Sequence, residues 1–328
     1  MLASTDSGET HGLPLRPPLV FASMVVVLLA APAIRAQEPP QEPDAPPTAE
    51  PTPQPTPEPT PEPQLAPPPA VDRTPREWHP KKELHTGTGD WIVIGAGAAA
   101  ALGAAIVPPQ SKHPRGGVLY DEGARDALRL KSRWWRYAVR DMSDVGVSLE
   151  TTWPFLVDAL VSAWYWRGNT KVARDIVLVD AEAFVLAAAV QGWTNGLVAR
   201  ERPFGRLCGS EIPEASVDCE DVVRYRSFFS GHATLSFTAA GVMCTNHLEM
   251  ELLGAPWDVV TCAGAVGVAA MTATFRVMSD MHYATDATVG ALVGTGFGLL
   301  IPWLHYRGES SDVHVGAVGQ GLGLVGVF

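Results

Sequence analysis

Residues 276–286 read RVMSDMHYATD and join two apolar stretches, residues 257–275 and 284–304. Each stretch is about 20 residues long, which is close to the length a helix needs to cross the hydrocarbon core of a bilayer. A polar link between two such stretches predicts a helical hairpin whose turn lies at one face of a membrane. The link also carries an arginine, a histidine and an aspartate, which are the residue types of a reactive site.

Four more apolar stretches come earlier in the chain, at residues 91–107, 147–166, 176–199 and 233–249. The chain is 46% hydrophobic and only 18% charged, and tryptophans stand near the ends of several stretches, as they do at membrane interfaces. We therefore predict an all-α membrane bundle of five to six helices, with a soluble helical bundle as the alternative. The acidic residues inside the stretches are expected to face the bundle interior; they are Asp158, Asp180 and Glu182.

The remaining chain divides by composition. Residues 1–36 have the pattern of an export signal or an uncleaved anchor, and residues 37–77 are a Pro/Glu-rich segment that predicts an extended tether. Residues 78–144 hold the first apolar stretch and an amphipathic connector. Residues 145–306 form the bundle with the polar clusters, and residues 307–328 are a Gly-rich tail with a weak hairpin signal.

Charge and motif content exclude several classes of protein. The net charge of −11 comes largely from seven acidic residues between Glu38 and Asp72, so the rest of the chain offers no basic face for nucleic acid. Four cysteines without a CxxC pair make a structural zinc site of cysteines unexpected. The glycine-rich nucleotide-binding motifs are also missing from the sequence.

Two further clusters stand at stretch boundaries. The third stretch ends in Arg200-Glu201-Arg202-Pro203, where guanidinium groups can bind phosphate oxygens or serve only as a solvated cap. The fourth stretch is preceded by Ser230-Gly231-His232. The serine predicts a helix N-cap, and a helix start can bind an anion; an ordinary capped helix is the alternative.

In the link of residues 276–286, His282 and Asp286 are four residues apart. On a helix this spacing lets the carboxylate accept the ring Nδ1–H, which leaves Nε2 as a free nucleophile. Arg276 is placed to hold the group under attack, while a plain His–Asp pair on a solvated face is the alternative. An even number of crossings separates the three clusters, so we expect them to converge on one membrane face.

Together the clusters resemble the three motifs of the type 2 phosphatidic acid phosphatase superfamily, which includes the vanadium haloperoxidases. The family pattern K-x6-R-P is similar to Arg202-Pro203, P-S-G-H to residues 229–232, and S-R-x5-H-x3-D to residues 275–286. The resemblance covers about residues 145–305 and implies a bacterial inner-membrane protein with several membrane crossings.

The resemblance implies a phosphatase that acts on a lipid phosphate or lipid diphosphate through a phosphohistidine. It implies His282 as the nucleophile, Asp286 as its orienting carboxylate and His232 as the acid that protonates the leaving oxygen. The phosphate-binding groups that it implies are Arg202, Arg276 and the backbone around Ser230 and Gly231. It implies no metal and no cofactor. Phosphatidic acid, phosphatidylglycerol phosphate and undecaprenyl diphosphate are the candidate substrates.

One departure from the family pattern bears on activity. The family lysine is replaced by Asn195, which on a continuous helix shares a face with Arg202 and can donate only a neutral hydrogen bond. Arg200 points elsewhere on that helix. We expect reduced activity; a non-catalytic lipid-phosphate-binding protein and a haloperoxidase-like enzyme are the alternatives.

The side of the membrane is left open by the sequence. An exported N-terminus followed by six crossings puts the clusters in the cytoplasm, as does the basic loop of residues 112–140. Cys208 and Cys219 bracket a short loop suited to a disulfide, which favours the periplasmic face. We expect the periplasmic face, reached by five crossings if residues 91–107 do not cross.

Overall fold

The structure is a computed structural model that describes residues 78–111, 114–307, 314–318 and 321–325. Its α-helices are α1 (Thr88–Ile106), α2 (Asp121–Leu128), α3 (Arg133–Trp153), α4 (Thr170–Val198), α5 (Asp221–Arg224), α6 (Gly231–Met250), α7 (Trp257–Met278) and α8 (Ala284–Tyr306). A π-helix (Pro154–Trp166) continues α3, and 3₁₀ turns cover Pro203–Leu207 and Val217–Cys219. The strands are β1 (His314–Val318) and β2 (Gly321–Val325).

The predicted all-α bundle is confirmed. The six apolar stretches correspond to α1, α3 with its π-helix, α4, α6, α7 and α8. The second stretch differs most from the prediction, because its helix begins at Arg133 and not at residue 147. Residues 133–146 are amphipathic, so apolar content alone does not mark them, and their polar side chains bind loops near the other clusters. The predicted segments 1–36 and 37–77 lie outside the described residues.

Helix α1 runs parallel to α4 along most of its length. Just before α1, the hydroxyl of Thr86 donates to Asp175 near the start of α4 at 2.7 Å. Beyond the other end, the backbone N–H of Gln110 donates to the Gly196 carbonyl near the end of α4 at 3.1 Å. The two ends of α1 therefore lie at opposite ends of the bundle, and residues 91–107 form a crossing helix.

Helices α6 and α8 approach each other through small residues. Gly290, Gly294 and Gly298 form a stripe of four-residue spacing on α8 that faces α6. A Cβ atom added to Gly294 would stand 2.2 Å from the Thr234 carbonyl oxygen, and one on Gly298 would stand 2.5 Å from the Thr238 carbonyl oxygen. Close packing of this kind stabilises helix pairs in membranes, where the hydrophobic effect between helices is weak.

Polar residues inside the apolar helices face the interior, as predicted. Asp158, Asp180 and Glu182 are all buried. His247 lies between two carboxylates, with Nδ1 2.7 Å from Asp258 and Nε2 3.2 Å from Asp158. The Asn246 amide donates to both oxygens of Asp180 at 3.2 and 3.1 Å. These pairs compensate charges that would otherwise be costly in a bilayer.

The outer surface is that of a membrane protein. Four helical stretches in the described residues are long and apolar enough to span a membrane, with mean hydropathy of 1.5 to 1.6: Thr88–Ile106, Thr170–Leu207, Trp257–Met278 and Ala284–Tyr306. Tryptophans near the helix ends are exposed, among them Trp91, Trp166 and Trp257. Lipid contact explains why so many large apolar side chains point outward, and a membrane bundle is favoured over a soluble one.

The covalent cross-links and the tail complete the fold. Cys208 and Cys219 form a disulfide in the loop between α4 and α6, in agreement with the sequence. A second disulfide, Cys244–Cys262, joins α6 to α7 and was not predicted. Strands β1 and β2 pair antiparallel with Val318 opposite Gly321, which agrees with the predicted hairpin.

We predict that Gly294→Ala lowers the thermal unfolding midpoint of the protein in detergent. The added methyl group has no room against the α6 backbone, and overpacking of this kind costs about 1–3 kcal/mol. Gly296→Ala is the matched control, because a Cβ there meets nothing within 4 Å. Equal midpoints for the two variants would mean that the α6–α8 contact tolerates the extra volume.

Candidate active site

His282 lies in the turn between α7 and α8, and its side chain is buried. Its backbone N–H donates to the Arg276 carbonyl at 3.2 Å, which ties the turn to the end of α7. The ring Nδ1 is 2.8 Å from the carbonyl oxygen of Ser227, whereas the Asp286 carboxylate is 3.9 Å away. The predicted direct hydrogen bond to Asp286 is therefore wrong. The four-residue spacing does not act as it does within a helix, because His282 precedes α8.

The hydrogen bond to Ser227 still sets the ring for nucleophilic chemistry. A carbonyl can only accept, so Nδ1 carries the proton and Nε2 keeps its lone pair. Burial, followed by the positive charges of Arg202 and Arg276, holds the pKa of the His282 imidazole well below its ordinary value. The ring is therefore neutral near pH 7, which is the state that a nucleophile requires.

Asp286 stands behind this turn and is fully buried. Its carboxylate accepts hydrogen bonds from the Ser227 hydroxyl at 2.5 Å, from the Tyr283 backbone N–H at 2.9 Å and from the Arg200 guanidinium at 2.7 Å. Ser227 thus links the two residues, since its carbonyl accepts from His282 and its hydroxyl donates to Asp286. The carboxylate positions His282 through this intermediate residue.

The sequence did not indicate that Arg200 binds Asp286. Besides Asp286, its guanidinium binds the buried carboxylate of Asp121 at 2.7 Å, and it stacks on the Tyr283 ring with 4.1 Å to the centroid. Asp121 in turn accepts from the Thr285 backbone N–H at 2.8 Å. These contacts anchor the start of α8, and they leave Arg200 committed to carboxylates in place of phosphate.

His232 and Arg276 converge on one oxygen atom. His232 is in the first turn of α6, and its Nε2 lies 2.7 Å from Asp144 Oδ1. Arg276, near the end of α7, donates to the same Oδ1 at 2.9 Å and to the Ser143 hydroxyl at 3.1 Å. Two groups that meet at one carboxylate oxygen are also spaced to hold one phosphate oxygen. Asp144 gave no sequence signal, because it is one of several polar residues on the amphipathic part of α3.

Arg202 lies beyond the end of α4. The helix ends at Val198, and Ala199 adopts a left-handed conformation with φ 47°, so the chain turns before Arg202. The Arg202 Nε–H donates to the Arg226 carbonyl at 3.1 Å. Arg276 and Arg140 both lie within electrostatic range of Arg202. Because the helix stops, the predicted alignment of Asn195 and Arg202 on one helix face is wrong.

Asn195 is buried against the second cluster. Its Nδ2 donates to the Phe229 carbonyl at 3.3 Å, and Gln191 donates to the same carbonyl at 2.8 Å. Asn195 Oδ1 has no hydrogen-bond partner among the described residues. The Asn195 amide thus supports the turn before α6, and one of its two N–H donors is used there.

The start of α6 is an N-capped helix, as predicted. The Ser230 hydroxyl accepts from the Ala233 backbone N–H at 3.4 Å, and Gly231 is the first helical residue. The Ser230 backbone N–H, however, donates to the Asp286 carbonyl at 3.0 Å and is not available to a ligand. The N–H groups of Gly231 and His232 remain, because residues in a first helical turn have no intrahelical acceptor. An anion bound here would also meet the positive end of the helix dipole.

The three clusters therefore meet at one end of the bundle. His232 and Arg276 meet at Asp144, and the Arg276 carbonyl accepts from the His282 backbone N–H. The positive charge of Arg202 also acts on the His282 ring, so these four residues share one site. Asp286, Ser230 and Asn195 stand behind them as supports. The predicted convergence on one face is seen, although several predicted contacts to a ligand are replaced by contacts within the protein.

Comparison with known proteins gives one curated relative and one solved structure of note. The bacitracin transport permease protein BcrC of Bacillus licheniformis is 27% identical over 140 residues, which are 42% of this chain and 60% of that protein. The chain thus matches less than two thirds of the relative's length. A transmembrane PAP2 type phosphatidylglycerolphosphate phosphatase from Bacillus subtilis has a TM-score of 0.42 and 16% identity, covering 67% of this chain and 94% of the other.

A family model agrees with the prediction made from the three motifs. The model described as the PAP2 superfamily, which is the type 2 phosphatidic acid phosphatase group, matches residues 179–309. That range holds Arg202-Pro203, Ser230-Gly231-His232 and residues 276–286, so all three clusters lie inside it. The resemblance predicted from the motifs is confirmed by this match, which makes residues 179–309 similar to the PAP2 superfamily.

Proposed function

We propose that the protein is a membrane-bound phosphatase that removes phosphate from a lipid phosphate or lipid diphosphate by way of a phosphohistidine. The observation that supports this most strongly is the buried His282 ring, whose Nδ1 is held by the Ser227 carbonyl and which lies near the charges of Arg202 and Arg276. The site lies at the end of membrane helices, so a lipid tail can stay in the bilayer while its phosphate reaches the ring.

In this mechanism His282 Nε2 attacks phosphorus and the bond from phosphorus to the leaving oxygen breaks. His232 gives a proton to that oxygen. Arg202, Arg276 and the N–H groups of Gly231 and His232 hold the three equatorial oxygens as negative charge builds up on them. Water, deprotonated by His232, then attacks the phosphohistidine and releases inorganic phosphate. The nitrogen–phosphorus bond breaks, and His282 returns to its neutral form.

The roles of the supporting residues follow from their contacts. The Ser227 carbonyl holds the Nδ1–H of His282, and the nearby Asp286 carboxylate stabilises the positive ring of the phosphohistidine. Asp144 stabilises the protonated form of His232 through its contact with Nε2. Arg140 lies within electrostatic range of Arg202 and Arg276 and adds positive charge that Asn195 lacks.

We predict that His282→Ala abolishes phosphate release. Removing a nucleophile leaves only transition-state binding, so the rate should fall by about a thousandfold or more. The measurement is phosphate release in detergent micelles from phosphatidic acid, phosphatidylglycerol phosphate and undecaprenyl diphosphate. His85→Ala is the control, because His85 is an exposed histidine outside the site.

Wild-type turnover of any of the three lipids that is lost only in His282→Ala supports the proposal. Equal rates in the two variants would refute His282 as the nucleophile. Tight vanadate binding by a wild-type protein that hydrolyses none of the lipids would favour the non-catalytic binder suggested by Asn195. Halide oxidation by the vanadate-loaded protein would favour the haloperoxidase alternative.

We predict that Asp144→Asn lowers kcat by about tenfold or more while KM changes less, because the neutral amide no longer stabilises protonated His232. Asp141→Asn is the matched control, since Asp141 is exposed on the same helix. The alternative is that Asp144 competes with phosphate for Arg276. In that case Asp144→Asn would lower KM and leave kcat unchanged, which would contradict the proposed role.

We propose further that the site faces the periplasm across a bacterial inner membrane. The Cys208–Cys219 disulfide lies in the loop that joins Arg202 to the start of α6, and disulfides persist in oxidising compartments. Because α1 crosses the bundle, residues 78–87 then lie on the cytoplasmic side. An exported N-terminus would instead put residues 78–87 in the periplasm and the site in the cytoplasm. The expected export signal and a periplasmic site are therefore incompatible.

This orientation predicts that Glu214→Cys reacts with a membrane-impermeant maleimide in intact spheroplasts. Glu214 is exposed in the loop at the site's end of the bundle, whereas Lys82 is exposed before α1 at the other end. Lys82→Cys is the matched control and should react only after lysis. The reverse pattern would put the site in the cytoplasm.

A further inference from the structure

A second cluster of ionisable side chains lies at the end of the bundle opposite His282. Asp90 of α1, Glu182 of α4 and His305 of α8 each turn one atom toward the others, and these atoms all lie within 4.8 Å of one another. His305 Nε2 is 3.5 Å from Asp90 Oδ1 and 3.5 Å from Glu182 Oε2. At the rise of an α-helix, His305 is about 30 Å along α8 from Asp286. The cluster is therefore separate from the phosphate site.

The other polar atoms of Asp90 and His305 are already used. Asp90 Oδ2 accepts from the Gly87 backbone N–H at 2.7 Å, which leaves Oδ1 facing the cluster. His305 Nδ1 is 2.9 Å from the Ile301 carbonyl oxygen, so Nδ1 carries the proton and Nε2 has a free lone pair. Metal-binding histidines are commonly oriented in this way, with the second ring nitrogen bonded to a carbonyl or carboxylate.

Glu182 supplies an independent observation. The residue is only 8% exposed, and its Oε2 atom is buried without a hydrogen-bond partner among the described residues. This is the oxygen that faces His305 Nε2. A buried carboxylate oxygen without a partner is costly, so its position calls for a positively charged neighbour.

We propose that Asp90, Glu182 and His305 bind one divalent transition-metal ion, for which Zn²⁺ is the best match. Zinc accepts carboxylate oxygen and imidazole nitrogen at about 2.0–2.2 Å, and tetrahedral ligands at such distances are about 3.4 Å apart. The two 3.5 Å separations in the cluster are close to this value. Three protein ligands leave a fourth position for water.

The ion would join helices that are distant in the sequence. Helix α1 packs mainly on α4 and has several large side chains exposed, such as Ile92 and Leu102. A metal held by Asp90, Glu182 and His305 cross-links the start of α1 to both α4 and α8. The role proposed here is structural, and it does not depend on the phosphatase reaction.

The test uses the full-length protein in detergent, stripped with a chelator and then dialysed against ZnCl₂. We expect about one zinc per chain by elemental analysis, a higher thermal unfolding midpoint with zinc, and the loss of both effects in Glu182→Gln and His305→Ala. His85→Ala is the control, because His85 is exposed next to the cluster and contacts His305 only through the backbone carbonyl. It should bind zinc as the wild type does.

Two results would overturn the proposal. One is a wild-type protein that retains no zinc, which would leave the cluster as an ion pair between protonated His305 and the carboxylates. The other is zinc bound equally by the wild type and both cluster variants. Should a variant fail to fold, the absorption spectrum of the Co²⁺-loaded wild type decides, since bands of a tetrahedral nitrogen and oxygen site are expected and an octahedral aqua-type spectrum contradicts it.

Discussion

The buried carboxylate of Asp286 holds the three motif regions together. It accepts hydrogen bonds from Arg200 after α4, Ser227 before α6 and Tyr283 before α8. Its backbone carbonyl also accepts from Ser230 at the start of α6. A buried charge is tolerated only when it is paired and fully hydrogen-bonded, so each of these chain segments is drawn to the same point. His282 takes its position from that arrangement.

The membrane imposes a second constraint, which acts along the helices. Helix α8 carries a glycine stripe that lets its backbone approach α6 closely, so His232 in the first turn of α6 and His282 just before α8 are brought to the same end. Polar side chains deeper in the bundle pair with one another, as His247 does with Asp158 and Asp258. Packing sets the distance between the helices, and the polar pairs help to fix their alignment.

The helices and the convergence of the three clusters were largely predictable, whereas the contacts between individual side chains were not. Apolar stretches identified the crossing helices because a bilayer requires long runs of apolar residues. Motif spacing selected His232, His282, Arg202 and Arg276 as candidate site residues, and these lie at one end of the bundle. Asp144 was not predicted, because the sequence pattern of an amphipathic helix is the same whether an aspartate on it faces water or an arginine. Only the packing of α3 against α7 brings Asp144 to Arg276.

The order of residues along the chain specifies which side chains stand at each helix end and that those ends fall on one face of the membrane. These properties depend on local composition and on the parity of membrane crossings. Which atoms pair depends on the three-dimensional packing: Ser227 pairs with the His282 ring, Arg200 with Asp286, and Asn195 with the Phe229 carbonyl. This is because hydrogen bonds act only over short distances. A hydrogen bond depends on tenths of an ångström, and a single left-handed residue such as Ala199 redirects every side chain after it.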